Sequence, residues 1–243
     1  MRYYYSTVVP RPGSGRVTTS RREVLEIGIA YAVLTIDLML ILSHGTYLSG
    51  SGTVDLTTLL SPGWAVLAAT AAFTGFLAHE LAHKIVAERR GFWAEFRMWP
   101  VGLLFSFVTA VVGFLWGAPG ATMVGGMSES DREDWGRTSV AGPLTNLAFS
   151  VLFLGVGLAG FGLGARFVGA FLVLAWINGW FATFNLVPIG PLDGRKVVRW
   201  SKAVWGAAIV AAVALTVASL LAYYSQLTFG GPFHYYPSLS GIL

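Results

Sequence analysis

PGWAVLAATAAFTGFLAHELAHKIVA, residues 62–87, is an apolar run long enough to cross a bilayer, and it carries His79-Glu80-Leu81-Ala82-His83 near its end. Apart from that cluster and Lys84, the run is uncharged. Two histidines at i and i+4 lie about 40° apart around a helix, so both imidazoles project from one stripe and can hold one metal ion. Glu80 is offset by about 100° from His79 and can reach a water on that metal. This is the mechanical content of the H-E-x-x-H pattern of zinc hydrolases. Ionisable groups at membrane depth are costly, which makes the cluster a candidate functional site.

Composition supports the membrane reading. Of 243 residues, 55% are hydrophobic and only 12% charged, against roughly 25% charged in a soluble domain. Mean hydropathy is +0.65. Several apolar stretches approach 20 residues, the signature of a polytopic membrane protein. Thirty glycines suit close helix packing in lipid. The net charge of +4 is modest. Its basic residues gather at Arg11–Arg22, Lys84–Arg90 and Arg195–Lys202, a pattern of membrane topology that gives no reason to expect nucleic-acid binding. Zero cysteines exclude disulfides and thiolate metal sites, leaving His, Asp, Glu and Asn as ligands.

Along the chain, residues 1–23 read as a basic, mobile cytoplasmic arm. Residues 24–243 read as a single integral-membrane domain, its catalytic core within about residues 62–200. Val24–Leu42 is a first span, too long and too late for a signal peptide. Ser43–Ser61 is a polar connector. Pro62–Arg90 is one long helix, with Pro62 in its first turn and Gly91 ending it. Later spans are expected at Ser139–Leu158, Phe167–Val187 and Val204–Tyr223, with a charged loop at Gly126–Arg137.

Phe92–Val124 is the ambiguous segment. Trp93–Trp99 partly alternates like a strand, while Val101–Trp116 suits either a spanning helix or a re-entrant β-hairpin. The positive-inside rule chooses between them. With the N-terminus inside, a dip and return across Phe92–Val124 leaves both Lys84–Arg90 and Arg195–Lys202 inside. A full crossing puts the second group outside. The expectation is therefore five spans and a re-entrant segment, which is tolerated only if it is covered by protein or lines a wet cavity.

Catalytic zinc usually takes three protein ligands. The register six residues after His83 is Arg89, which cannot ligate. His44 and His234 fall on the opposite side. Carboxylates remain, and Asp193 stands out in Asn185-Leu186-Val187-Pro188-Ile189-Gly190-Pro191-Leu192-Asp193-Gly194. Its prolines and glycines break a helix on the same side as His83 and let a carboxylate turn inward.

Three pieces together resemble the site-2 protease family of intramembrane metalloproteases. They are His79-Glu80-Leu81-Ala82-His83, then Gly142-Pro143-Leu144-Thr145-Asn146 as G-P-x-x-N, then Asn185 to Gly194 as N-x-x-P-x-x-P-L-D-G. Order and spacing agree, and the likeness covers about Gly75 to Lys196. Arg195 stands where many members have a second glycine. The resemblance implies a three-helix catalytic core. The length leaves no room for a PDZ or CBS module.

The expected fold is mainly α: a polytopic membrane helix bundle with a short re-entrant β segment. The expected function is zinc-dependent intramembrane endopeptidase, acting on a single-span membrane-protein substrate within the lipid bilayer. One Zn²⁺ per chain would sit on His79, His83 and Asp193, with Glu80 as general base. Asn146 and Asn185 are candidate substrate or oxyanion contacts, or alternatively interhelical hydrogen-bonding residues. The active site is expected near the cytoplasmic side. Lys84 reads as a snorkelling topology charge, and Glu26 and Asp37 as charges reaching the interface. The rivals are a catalytically idle membrane adaptor and a divalent-metal transporter. A third, an integral metalloprotease of the CAAX type, needs a glutamate third ligand that no motif here supports.

Overall fold

The computed structural model describes residues 15–43, 61–128, 130–160 and 165–229. The expected connector at 44–60, with His44, and the tail with His234 lie outside the described residues. Five helices are long and apolar enough to cross a membrane: Arg21–Ser43, Pro62–Arg89, Arg132–Ala159, Val168–Asn185 and Lys202–Ser225. Their outward faces carry large exposed apolar side chains such as Leu25, Val66, Leu158, Val210 and Leu221. The protein is a mainly α, multi-pass bundle, as the sequence predicts.

The first span is α1 (Arg21–Ser43). The second is not one uniform helix. It runs as α2 (Pro62–Ala72), a π-helical turn at Phe73–Leu77, and α3 (Ala78–Arg89) with the histidines. Pro62 opens α2, where its missing N–H has no role. Gly91, at φ +89°, stops the chain just beyond α3. The wider turn sits directly before the motif, a common position for π-bulges at functional sites. It is packed tightly: a Cβ on Gly75 would lie 2.8 Å from the Phe181 ring.

The ambiguous segment is a re-entrant β-hairpin with a short helix at its tip; the spanning helix is absent. Strands β1 (Trp93–Met98) and β2 (Gly120–Gly125) flank a short apolar helix, α4 (Pro100–Val111). The strands pair antiparallel, from Trp93 with Gly125 to Met98 with Gly120. The chain thus leaves α3, dips and returns alongside its own entry. Twelve residues of α4 span about 18 Å, too short to cross the hydrocarbon core. Helix α4 buries Gly102, Leu103, Ser106 and Ala110 and exposes Val101, Leu104, Phe105 and Val108. The expected re-entrant segment is present, but its tip is helical.

Helix α5 (Arg132–Ala159) begins seven residues earlier than its apolar run suggests, so it takes up half of the expected loop. Helix α6 (Ala165–Asn185) follows, then the turn to α7 (Asp193–Trp200), then α8 (Lys202–Phe229). Ala30, Leu34 and Leu38 of α1 pack with Ala68, Ala71 and Ala72 of α2, with Phe76 and Phe96, and with Val173 and Leu174 of α6.

A buried polar seam fixes the hairpin to the bundle. Its centre is Lys84, 2% exposed. The Lys84 ammonium donates to the Ala94 carbonyl at 2.6 Å and pairs with Glu23 at 3.0 Å and Glu88 at 3.4 Å. Glu88 in turn accepts from the N–H and hydroxyl of Thr18, both at 2.9 Å, which ties down the end of the N-terminal arm. Glu23 accepts from the Phe96 N–H at 2.9 Å, and Glu26 from the Met98 N–H at 3.1 Å. Asp37, fully buried, accepts from the Ser106 hydroxyl of α4 at 2.7 Å. Lys84, Glu26 and Asp37 therefore do not snorkel or reach an interface. They satisfy the free backbone edge of β1 and hold α4 against α1, because a strand edge inside a membrane protein needs partners.

Lys84→Met should leave Glu23 and Glu88 buried without their cation and cost about 3–5 kcal/mol of stability. Arg137→Met, which breaks the exposed pair with Glu133, should cost less than about 1 kcal/mol. Unfolding in detergent checks this; equal stability of the two variants would contradict the seam.

Candidate metal centre

Three helices supply the centre. His79 and His83 project from α3, Gly142 and Asn146 from α5, and Asp193 begins α7. The Nε2 atoms of the histidines are 2.9 Å apart. Asp193 Oδ2 is 3.3 Å from His79 Nε2 and 3.0 Å from His83 Nε2. All three residues are buried, and they are the candidate metal-holding group among the described residues.

The hydrogen bonds on the far side of each ring give this arrangement its meaning. His79 Nδ1 donates to Asn146 Oδ1 at 2.6 Å, and His83 Nδ1 donates to the Thr138 carbonyl at 2.7 Å. A neutral imidazole that donates from Nδ1 presents a lone pair at Nε2. Two lone pairs and a carboxylate oxygen then converge in a buried space. Without a cation between them they repel. With tetrahedral ligands at about 2 Å from an ion, donors sit roughly 3.3 Å apart, close to the observed separations. The donor set fits a divalent cation that accepts nitrogen and oxygen ligands.

The local sequence explains how the three helices come this close. A Cβ on Gly142 would lie 2.5 Å from both histidine Nε2 atoms. Pro143, one residue on, has no N–H for the Ser139 carbonyl and loosens that turn of α5. The Thr138 carbonyl that receives His83 lies in this turn. A Cβ on Gly194 would lie 2.0 Å from the Leu186 carbonyl, so glycine lets α7 double back against the end of α6. The Asp193-Gly194 pair thus couples a ligand to the close approach that delivers it. Arg195, where a second glycine is common, is exposed and reaches the Gly190 carbonyl at 3.4 Å, so the turn accommodates it.

Of the two asparagines, Asn146 is fully buried and fully engaged. Besides His79, its amide nitrogen donates to the Thr74 and Gly75 carbonyls at 3.1 and 2.9 Å, in the π-helical turn. Asn178 of α6 continues the network, accepting from Asn146 at 3.3 Å and donating to the Thr74 hydroxyl at 2.9 Å. Among the described residues Asn185 bonds only back to the Phe181 carbonyl, at 3.0 Å, and it is half-buried. Asn178 was not among the sequence candidates, although an amide inside Ala175–Phe181 was a readable signal.

Glu80 lies on the hairpin side of α3, about 100° around the helix from His79 and about 60° from His83. Its Oε2 accepts from the N–H and the hydroxyl of Thr122 on β2, at 2.7 and 2.8 Å. Thr122 was also missed, because no sequence pattern tells that β2 would pass beside the motif.

Gly142→Ala should push the imidazoles apart and lower bound metal at least about tenfold, with the helical content unchanged. Metal analysis of the purified variant checks this; wild-type metal content would refute the close approach.

Known proteins supply an independent line. Neither a family model nor a solved structure matches the chain. It is 36% identical over 143 residues to the protein named "Putative zinc metalloprotease Rip3" of Mycobacterium tuberculosis, covering 58% of this chain and 31% of that relative. It is 33% identical over 187 residues to "Putative zinc metalloprotease MJ0611" of Methanocaldococcus jannaschii, covering 76% of this chain and 88% of the relative. Likeness over nearly the whole of a relative joins the three motifs that meet at this centre, and the chain belongs to the site-2 protease family.

Proposed function

We propose that this protein is a zinc-dependent intramembrane endopeptidase that cleaves a single-span membrane protein. The observation that carries the proposal is the buried group of His79, His83 and Asp193 inside a bundle of apolar helices, with Glu80 next to His79 on the same helix. His79, His83 and Asp193 would hold one Zn²⁺. A zinc ion held there lowers the pKa of a bound water to about 7 and polarises a carbonyl. Glu80 takes the proton from the attacking water and delivers it to the leaving amine. Asn146 orients His79 and fixes its tautomer. That leaves Asn185, with its carboxamide oxygen and one N–H uncommitted among the described residues, as the candidate contact for the developing oxyanion.

The peptide must be unwound to expose its carbonyl, and strand addition is the natural means. In the antiparallel pair, Ala94, Phe96 and Met98 face Val124, Thr122 and Gly120 across non-hydrogen-bonded positions, so these residues turn their N–H and C=O groups outward. On β1 the outward edge is already occupied, by Lys84, Glu23 and Glu26. On β2 the outward groups of Gly120 and Val124 have no partner among the described residues. The substrate would therefore add to β2, on the side of Glu80.

A transporter would need ligands at several depths. Among the described residues the donors form one group at one depth. An idle adaptor has no use for a carboxylate held beside the metal donors.

Glu80→Gln should keep its zinc and lose cleavage of a reconstituted single-span substrate by at least about 100-fold. Normal cleavage by that variant would end the mechanism. Zinc flux across vesicles without cleavage by the wild type would favour transport.

The N-terminus and the mouth of the site are proposed to face the cytoplasm, since that orientation alone keeps both basic clusters inside. The chain has no native cysteine. Single cysteines at the exposed positions Ala118 and Ser128 should label from the cytoplasmic side. Labelling only from outside would reverse the orientation.

A further inference from the structure

We propose that Thr122 is a positioning residue: it fastens the general base to β2, so the strand offered to substrate also sets the orientation of Glu80. The inference rests on the endopeptidase reading above. Three contacts join the two residues. The Thr122 N–H donates to Glu80 Oε2 at 2.7 Å, and the Thr122 hydroxyl lies 2.8 Å from the same oxygen and 3.0 Å from the Glu80 backbone carbonyl. No other partner of the Glu80 carboxylate is found among the described residues. Oε1 is thus left to face a water, while Oε2 is held.

The placement of Thr122 follows from the register. Its partner across the ribbon is Phe96, whose N–H points away from β2 to Glu23. Thr122 must then also point its N–H away from β1, toward α3. A threonine serves here because its branched Cβ restricts the hydroxyl to few positions and favours the strand. Valine would keep the strand and the N–H but lose the hydroxyl.

The consequence concerns substrate. A peptide adding to the outward edge of β2 at this position would compete with Glu80 for the Thr122 N–H. Once it is taken, the hydroxyl is the tie that remains between the base and the strand. Loss of the hydroxyl should therefore be felt mainly in the substrate complex.

The test compares Thr122→Val and Thr122→Ser in the full-length protein, with zinc content and single-span substrate cleavage measured for each. Thr122→Val should lower kcat about 10- to 100-fold, the scale of a misplaced catalytic group, with KM and zinc content near wild type. Thr122→Ser should restore most of kcat. A second measurement reads the contact without activity. Glu80→Ala should speed amide hydrogen exchange in residues 120–125 but not in residues 93–98, which α1 and Lys84 hold. The proposal is overturned if Thr122→Val turns over like the wild type, if it acts through KM or zinc loss, if serine fails to rescue, or if exchange in β2 ignores Glu80. Should the wild type cleave nothing, the proteolytic reading fails on its own, and the exchange comparison still decides whether Thr122 holds Glu80.

Discussion

Two imidazole lone pairs and a carboxylate oxygen meet within about 3 Å of one another in a space closed by three helices, and only a cation makes such a meeting favourable. Much else in the fold serves to bring those donors together. The rings are set from behind, His79 by an asparagine and His83 by a main-chain carbonyl, so each presents the same nitrogen inward. Such outer hydrogen bonds orient metal ligands and tune their basicity. The network then runs on through Asn178 and Thr74 into the π-helical turn, so the widened turn before the motif is part of the same support.

The glycines show how narrow the tolerances are. Gly142 lets α5 approach the two imidazoles, and Gly194 lets α7 fold back on Leu186. Either contact would be filled by one methyl group. In lipid, where apolar side chains gain little by leaving the solvent, close backbone approach and hydrogen bonding carry much of the packing. The second constraint is the hairpin. Its β1 edge is engaged by carboxylates of α1 and by Lys84, while its β2 edge faces Glu80. This asymmetry orients the re-entrant segment.

The sequence made the centre legible because its ligands sit in local patterns: an i, i+4 pair on a helix and an acid in a proline- and glycine-rich turn. Charge placement correctly gave five spans and a returning segment. It did not give the helix at the tip, because Val101–Trp116 is apolar in both helical and strand registers and the choice is made by tertiary packing of Ser106 against Asp37. Lys84, Glu26 and Asp37 were misread for a related reason. A charge in an apolar run looks the same whether it snorkels or pairs internally, and their partners are up to 72 residues distant. Thr122 was invisible because its role depends on strand register. Asn146 was found by its motif, and its buried bonds to His79, Thr74, Gly75 and Asn178 match the interhelical hydrogen-bonding alternative read for it.

The most direct test of the central claim is X-ray absorption at the zinc edge on the purified, zinc-loaded protein. The account predicts two imidazole nitrogens and oxygen ligands from a carboxylate and a solvent molecule, at about 2.0–2.2 Å in four-coordinate geometry. A shell without imidazole scattering, or a six-coordinate oxygen environment, would contradict it.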